Sequence, residues 1–312
     1  MDISIVIPFL DEAESLPELT EWIRRVTNEN HLSYEIIMVD DGSSDHSWRV
    51  VEELHQKNSN IKGIKLQRNY GKSAALNEGF RAAKGDIVIT MDADLQDSPD
   101  EIPALRRMII EDGYDLVSGW KKTRHDPISK TLPSKFFNWF TTRVSKIKLH
   151  DFNCGLKAYK LKVVKSIEVY GEMHRYIPLL AKWSGFKKIG EKVVEHRPRK
   201  YGKSKFGMGR LIKGGLDLTS ILFVGKYGKR PMHFFGTWGS LFFLAGFGIS
   251  VYLVISKIID KNFALTNRPG FYLALATTII GTQLFVTGFV AELISRNAPG
   301  RNNYLIEEKL GL

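Results

Sequence analysis

The chain has 312 residues, with 45 Lys and Arg against 34 Asp and Glu and a formal net charge of +11. That length suits one large domain with an appendage or two small domains, and a single cysteine excludes an internal disulfide framework and a cysteine-rich metal site. The charge is split. The first hundred residues carry ten basic against nineteen acidic side chains, leaving about +20 for the remainder, an asymmetry that points to a polyanion or an anionic membrane surface.

The opening "MDISIVIPFLDEAES" has no basic region followed by a long apolar run, so no secretory signal is read there and the catalytic part is expected in the cytosol. Short apolar strands are predicted at 3–8, 34–40, 61–66, 86–92 and 114–119, with helices near 14–28, 45–58, 72–83 and 99–111. Repeated strand–helix units of this length predict an α/β, mostly parallel, doubly wound sheet. In such sheets ligands sit beyond the carboxyl ends of the strands.

Further along, 132–148 places Phe136, Phe140, Val144 and Ile147 on one face of a basic helix. The stretch 206–225 repeats the pattern with Met208, Leu211, Ile212, Leu216, Leu222 and Phe223. Basic amphipathic helices beside a membrane span suit the interface; an ordinary helix packing on the sheet is the alternative. The segments 231–256 and 269–291 carry no Asp, Glu, Lys or Arg, and each exceeds the roughly 20 apolar residues that cross a bilayer. The competing reading is a pair of buried helices in a soluble domain. Two spans return the chain to its starting side. Lys226, Lys229 and Arg230 before them, with Arg296 and Arg301 after, favour the cytosol, although Lys257, Lys261 and Arg268 lie in the connection. The expected divisions are a catalytic domain at 1–205, an amphipathic juxtamembrane helix at 206–230, spans at 231–256 and 269–293, and a cytosolic tail at 294–312. Gly236, Gly239, Gly246 and Gly248 allow close helix packing and self-association.

The strand ends carry the chemistry. After the second strand come Asp40, Asp41 and Gly42, then Ser44 and Asp45, either of which could cap the next helix. Asp40 and Asp41 are left over and suit ribose hydroxyls and a base N–H. After the third strand, Asn69 and Gly71 suggest a tight turn, with Lys72 and Ser73 at a helix start suited to an anion. After the fourth, Asp92 and Asp94 lie two apart, on one face of extended chain, with Gln96 adding an oxygen. Hard oxygens in this number fit Mg²⁺ or Mn²⁺, which takes one or two carboxylates together with substrate phosphates. Asp97 or Ser98 would cap the helix that follows.

From Lys121 to Lys148 there are eight basic residues and one acid, and from Lys187 to Arg230 thirteen against three. Lying between an acidic motif and two spans, these runs suit anionic lipid headgroups. No nucleic-acid-binding module is recognisable, and nucleic acid is not an expected partner. His150, His174 and His196 lack metal-ligand spacing and read as hydrogen-bonding surface residues, and Cys154 reads as a packing residue.

Taken together, "VIPFLDEAESL", "VDDGSSDHS", "RNYGKSAALNEGF", "MDADLQDSPDEIP", "DFNCGLKAY" and "YGKSKF" resemble family 2 glycosyltransferases of the GT-A (Rossmann-like) fold. With two C-terminal spans, the chain is similar to polyprenyl-phosphate glycosyltransferases such as dolichol-phosphate mannosyltransferase, bactoprenol glucosyltransferase and undecaprenyl-phosphate aminoarabinose transferase. The resemblance implies that Pro8, Glu12, Asp40 and Asp41 hold the nucleoside, with Lys72 and Asp92 also on the nucleotide sugar. Asp92, Asp94 and Gln96 would hold the metal and diphosphate, and Asp94 and Asp151 would serve at the reacting centre. Lys122, Arg124 and Lys135 would meet the acceptor phosphate, and Arg199, Lys203 and Lys205 would lie on a mobile basic loop; Arg175, read from the residues alone, would either join the acceptor site or form an ordinary helix salt bridge. "PFLDE" departs from a common Tyr-Asn-Glu version but keeps Glu12.

The implied reaction moves one sugar from a nucleotide sugar, a UDP-hexose first, to a polyprenyl phosphate such as undecaprenyl phosphate, with inversion. GDP-mannose with a dolichyl-type acceptor comes second. A processive polysaccharide synthase would carry a Gln-x-x-Arg-Trp motif, which "LLAKWSGF" lacks. A non-catalytic scaffold is disfavoured because Asp92 and Asp94 are both present.

Overall fold

Seven consecutive buried residues form β1 (Ile3–Phe9), and seven more form β2 (Tyr34–Asp40). Such unbroken Ile/Val-rich runs belong to strands covered on both faces. The structure is a computed structural model, and it describes residues 1–122, 141–143, 146–198, 200–201, 223, 227, 230–259 and 264–297. The chain divides into two compact units, Met1–Asp217 and Leu218–Leu312. Most of the amphipathic helices expected at 132–148 and 206–230, and most of the tail, lie outside the described residues.

The first unit holds a seven-stranded sheet of order β3-β2-β1-β4-β6-β5-β7. Its further strands are β3 (Ile61–Lys65), β4 (Ile87–Thr90), β5 (Leu116–Trp120), β6 (Lys157–Lys160) and β7 (Ile189–Val193). Strands β1 to β4 pair in parallel, and β5 pairs in parallel with β7. Strand β6 runs antiparallel to both β4 and β5, so the sheet is mostly parallel with one reversed strand inside it.

The helices are α1 (Leu16–Glu29), α2 (Ser47–Lys57), α3 (Lys72–Ala82), α4 (Ile102–Ile110), α5 (Leu161–Ser166) and α6 (Ile177–Trp183). In α1, Leu16, Leu19, Ile23 and Val26 recur every three or four residues and are buried in the same core as Ile5, Ile7, Ile36 and Met38. Gly79 lets α3 lie close on the sheet: a Cβ there would sit 2.3 Å from Val6 Cγ1. Pro8 lies inside β1, whereas it was expected to close the strand. It is tolerated because the pairing of β1 with β4 ends at Val6, so no ladder bond to β4 is required of it.

The second unit contains α7 (Met232–Ile259) and α8 (Pro269–Asn297), both long and apolar enough to cross a membrane. Little of either helix is buried within the protein, and Leu244, Ile258 and Ile294 are openly exposed. The soluble-core alternative does not fit that exposure, because a core helix hides its apolar surface. The two helices meet through small residues. A Cβ on Gly239 would lie 2.6 Å from Phe285 N, one on Gly246 2.4 Å from Thr278 Oγ1, and one on Gly281 2.3 Å from Phe243 N. Gly239 and Gly246 thus serve contact within the hairpin, while the Cβ position of Gly248 faces open space. At the start of α7, Phe234 packs on Phe223 and Tyr227, with ring centroids 5.3 and 5.1 Å apart.

Gly79→Val is expected to destabilise the first unit by about 1–3 kcal/mol through overpacking against Val6. Thermal unfolding of the detergent-solubilised chain, followed by tryptophan fluorescence, checks this.

Candidate active site

Because β1, β2, β3 and β4 are parallel, the loops that leave them emerge at one edge. After β1, Asp11 adopts φ +51° and its Oδ1 accepts the backbone N–H of Ser44 at 2.7 Å. The Glu12 N–H donates to Ser47 Oγ at 2.9 Å. These contacts join the β1 loop to the β2 loop. At the end of β2, Asp40 is buried, and its Oδ1 accepts the Ser43 N–H at 2.7 Å. Asp40 Oδ2 is buried with no hydrogen-bond partner, an acceptor that the fold leaves over.

Asp41 is not left over. Its carboxylate accepts the backbone N–H groups of Tyr70 at 2.8 Å and Gly71 at 3.0 Å, so the anion drawn to the turn before α3 is supplied by the protein itself. Burial raises the Asp41 carboxyl above its ordinary range, and the two amides oppose that. Gly71 takes φ +95°, open to glycine at little cost, and swings Lys72 into the first turn of α3. The N-cap position of α2 is His46, with no side-chain cap, and Asp45 just before it accepts the Ser47 N–H at 2.9 Å.

Strand β4 stops at Thr90, so Asp92 and Asp94 lie in a turn rather than on one face of extended chain. Leu95 carries this turn at φ +60°, a costly conformation for a bulky residue, with its side chain buried. The Gln96 N–H donates to Asp94 Oδ1 at 3.2 Å. Gln96 is itself tied to the 196–198 segment, its Nε2 donating to Arg197 O at 3.3 Å and its carbonyl accepting the Arg197 N–H at 2.9 Å. Ser98 caps the next turn by accepting the Asp100 N–H at 3.3 Å. Asp97 is fully buried instead, 2.7 Å from Lys121 Nζ.

Asp92 is ion-paired with Lys72, and both side chains keep 31% of their surface exposed. Its carboxylate lies against Gly155, where a Cβ would come within 2.5 Å of Oδ2. Burial would raise its pKa, but the charges of Lys72, Lys121 and Lys157 outweigh that and hold the carboxyl below the usual range. Lys157, on β6 and only 3% exposed, donates to the Cys154 carbonyl. Burial lowers its pKa, and the nearby Asp151 and Asp92 charges counter that. A small pocket brings together Pro8, Lys72, Asp92, Asn153, Lys157 and His174. Ser73 Oγ lies 3.0 Å from His174 Nδ1 and fixes that ring at the pocket wall.

The other expected residues are more scattered. Asp151 is buried, with Oδ1 accepting the Asn153 N–H at 3.0 Å, on the loop that enters β6. Lys122 lies over the Trp120 ring at 5.9 Å, and Arg175 pairs with Glu172 at 3.2 Å. Arg124, Lys135, Arg199, Lys203 and Lys205 fall outside the described residues. Sequence reading missed Lys121, Lys157 and His174: the two lysines lay in runs assigned to lipid headgroups or to a family motif, and His174 was taken for a surface residue. Their signal was only proximity to acids that the fold would bury. Among the described residues, no three His, Cys, Asp or Glu side chains are grouped to hold a metal by themselves. Two carboxylates of this kind suit a divalent ion that completes its shell with substrate phosphates, and on its Gly155 side the Asp92 carboxylate meets bare backbone, its Lys72 partner lying at Oδ1.

The sequence pattern of glycosyl transferase family 2 matches residues 4–167, a span that takes in β2 to β6 and all of β1 but its first residue. The chain belongs to glycosyl transferase family 2. It is 34% identical, over 99% of its length and 93% of the relative's, to a dodecaprenyl-phosphate galacturonate synthase of Rhizobium johnstonii. It is 33% identical, over 99% and 94%, to an undecaprenyl-phosphate 4-deoxy-4-formamido-L-arabinose transferase of Proteus mirabilis. Both matches run the full length, apolar hairpin included. In fold, the family member superposes on a glucosyl-3-phosphoglycerate synthase of Mycobacterium tuberculosis in complex with UDP, with TM-score 0.54 and 19% identity over 72% of this chain and 79% of that one. The same enzyme is also known in complex with Mn²⁺, UDP-glucose and phosphoglyceric acid.

Because folding depresses the Asp92 pKa, its stabilising contribution is full above the ordinary aspartate range near ~4 and is lost as pH falls through that range towards the folded value. The urea midpoint of the wild type is therefore expected to exceed that of Asp92→Asn at neutral pH, with the gap beginning to narrow as pH falls below about 5 and continuing to narrow below about pH 3, towards the depressed folded value. A gap independent of pH would remove the paired carboxylate as its cause.

Proposed function

We propose that this protein transfers a single sugar from a nucleotide sugar, with UDP favoured as the nucleoside diphosphate, to a polyprenyl phosphate, inverting the anomeric centre. The observation that carries the reading is the end-to-end likeness to two polyprenyl-phosphate sugar transferases, which spans both the acidic strand ends and the hairpin. In this reading the hairpin anchors the chain in the cytoplasmic membrane, with the catalytic domain 1–205, the juxtamembrane helix 206–230 and the tail 294–312 on the cytosolic side. Self-association through the hairpin is compatible with this reading.

In this reading Pro8, Glu12 and the spare Oδ2 of Asp40 face the nucleoside, while Asp41 holds the turn that presents Lys72 to the diphosphate. Asp92 and Asp94, with Gln96, would hold Mg²⁺ or Mn²⁺, which would supply positive charge to the departing nucleoside diphosphate. The acceptor phosphate oxygen attacks C1 as the glycosyl–diphosphate bond breaks. A phosphate monoester with a second pKa near ~6 is mostly ionised at neutral pH, so no strong general base is required. Asp151, fixed by the Asn153 amide, orients the nucleophile. Lys122, Arg124, Lys135 and Arg175 screen the repulsion between two phosphorylated substrates, and Arg199, Lys203 and Lys205 close over them.

The test supplies purified protein with undecaprenyl phosphate, a divalent ion, and UDP-glucose, UDP-galacturonate, UDP-4-deoxy-4-formamido-arabinose or GDP-mannose. Mass spectrometry is expected to show one lipid-phosphate monosaccharide, absent with EDTA and reduced at least about 100-fold in Asp94→Asn. Addition of many sugars per lipid would favour the synthase reading instead.

A further inference from the structure

Three lysines surround the Asp92 carboxylate, and two of them are engaged elsewhere. Lys121 Nζ lies against the buried Asp97, and Lys157 donates to the Cys154 carbonyl from inside the sheet. Lys72 differs. It stands at the first turn of α3, about a third exposed, on a turn pinned by Asp41, and its ammonium closes on Asp92 Oδ1. A lysine on a four-carbon stem can leave one partner for another without moving its helix.

An ammonium and a divalent cation do not share one carboxylate oxygen at contact distance, because the second cation meets the charge of the first. A free diphosphate faces the converse difficulty: it arrives beside Asp92 and Asp94 and must find positive charge. Both difficulties are relieved in one exchange, in which the metal takes Asp92 and the ammonium takes a phosphate oxygen.

Resting on the proposed donor site, we propose that Lys72 is an exchangeable counter-ion: it occupies Asp92 in the free protein and passes to the diphosphate when nucleotide and divalent cation bind together. The consequence is positive coupling between the two ligands, equal in either order of addition. The free protein binds the metal weakly, and the nucleotide supplies both phosphate ligands and an alternative seat for the ammonium.

The experiment measures Mn²⁺ affinity by electron paramagnetic resonance without nucleotide, and UDP and GDP affinity by calorimetry with and without Mn²⁺, on the full chain in detergent. Lys72→Met is expected to bind Mn²⁺ alone roughly tenfold more tightly and the Mn²⁺-dependent nucleotide at least tenfold more weakly, because each tenfold step needs only a modest charge interaction. Lys72→Gln serves as a second variant, Lys72→Arg is expected to restore most of the nucleotide affinity, and Lys57→Met controls for net charge. Opposite shifts in the two affinities are the signature, since a lysine that merely supported the fold would weaken both. Parallel weakening, or unchanged Mn²⁺ affinity in Lys72→Met, overturns the exchange. Absence of any Mn²⁺–nucleotide coupling in the wild type overturns the donor-site reading on which it rests.

Discussion

Carboxylates gathered at one edge of a sheet repel one another, and the first unit depends on how that repulsion is offset. Parallel pairing of β1 to β4 forces the convergence, since each strand delivers its loop to the same side. The offsets are of three kinds. Asp41 is held by backbone amides, Asp97 by the partly buried Lys121, and Asp92 by the more exposed ammonium of Lys72. Only the last leaves its carboxylate accessible, which is why the chemistry is sought there. Strand β6 enters antiparallel between β4 and β5, and that reversal carries Asp151, Gly155 and Lys157 towards the same edge.

Much of this was legible in the sequence. Strands β1 to β5 and helices α1 to α4 lie within a few residues of the expected positions, because continuous Ile/Val runs and three-to-four-residue apolar spacing are local signals. Strand β6 was not expected as a strand. Its residues, Lys157–Lys160, put two lysines in four positions, and such a segment joins the sheet because acids on neighbouring loops meet it there, Asp151 and Asp92 near Lys157 and Asp115 at Lys160. Strand β7 was also missed, since its half-exposed Ile189–Val193 lacks a buried run.

The basic segments show the same limit in reverse. Read along the chain, they looked like a surface for anionic lipids. In the fold, Lys121 meets Asp97, Lys192 meets Glu101, and Lys200 reaches Glu18 at 2.7 Å. Part of that excess charge therefore cements the sheet edge and α1, and net charge overstates what remains for a partner. The hairpin was legible from composition as two long apolar helices, but the mutual fit of Gly239, Gly246 and Gly281 needed the helices placed side by side.

Cys154 brings this architecture within reach of solution chemistry. It is the one thiol in the chain, buried beneath the acidic turn with its Sγ against Gly119, where a Cβ would come within 2.7 Å. Burial, with Asp97 nearby, pushes its pKa up to about 12, so the closed protein offers almost no thiolate to an alkylating reagent. Labelling must then wait for the 151–156 loop to lift from β5, and its rate measures the free energy of that local opening. Nature has thus left a single-site reporter of how firmly the catalytic edge stays shut, in a position where no engineered probe is needed.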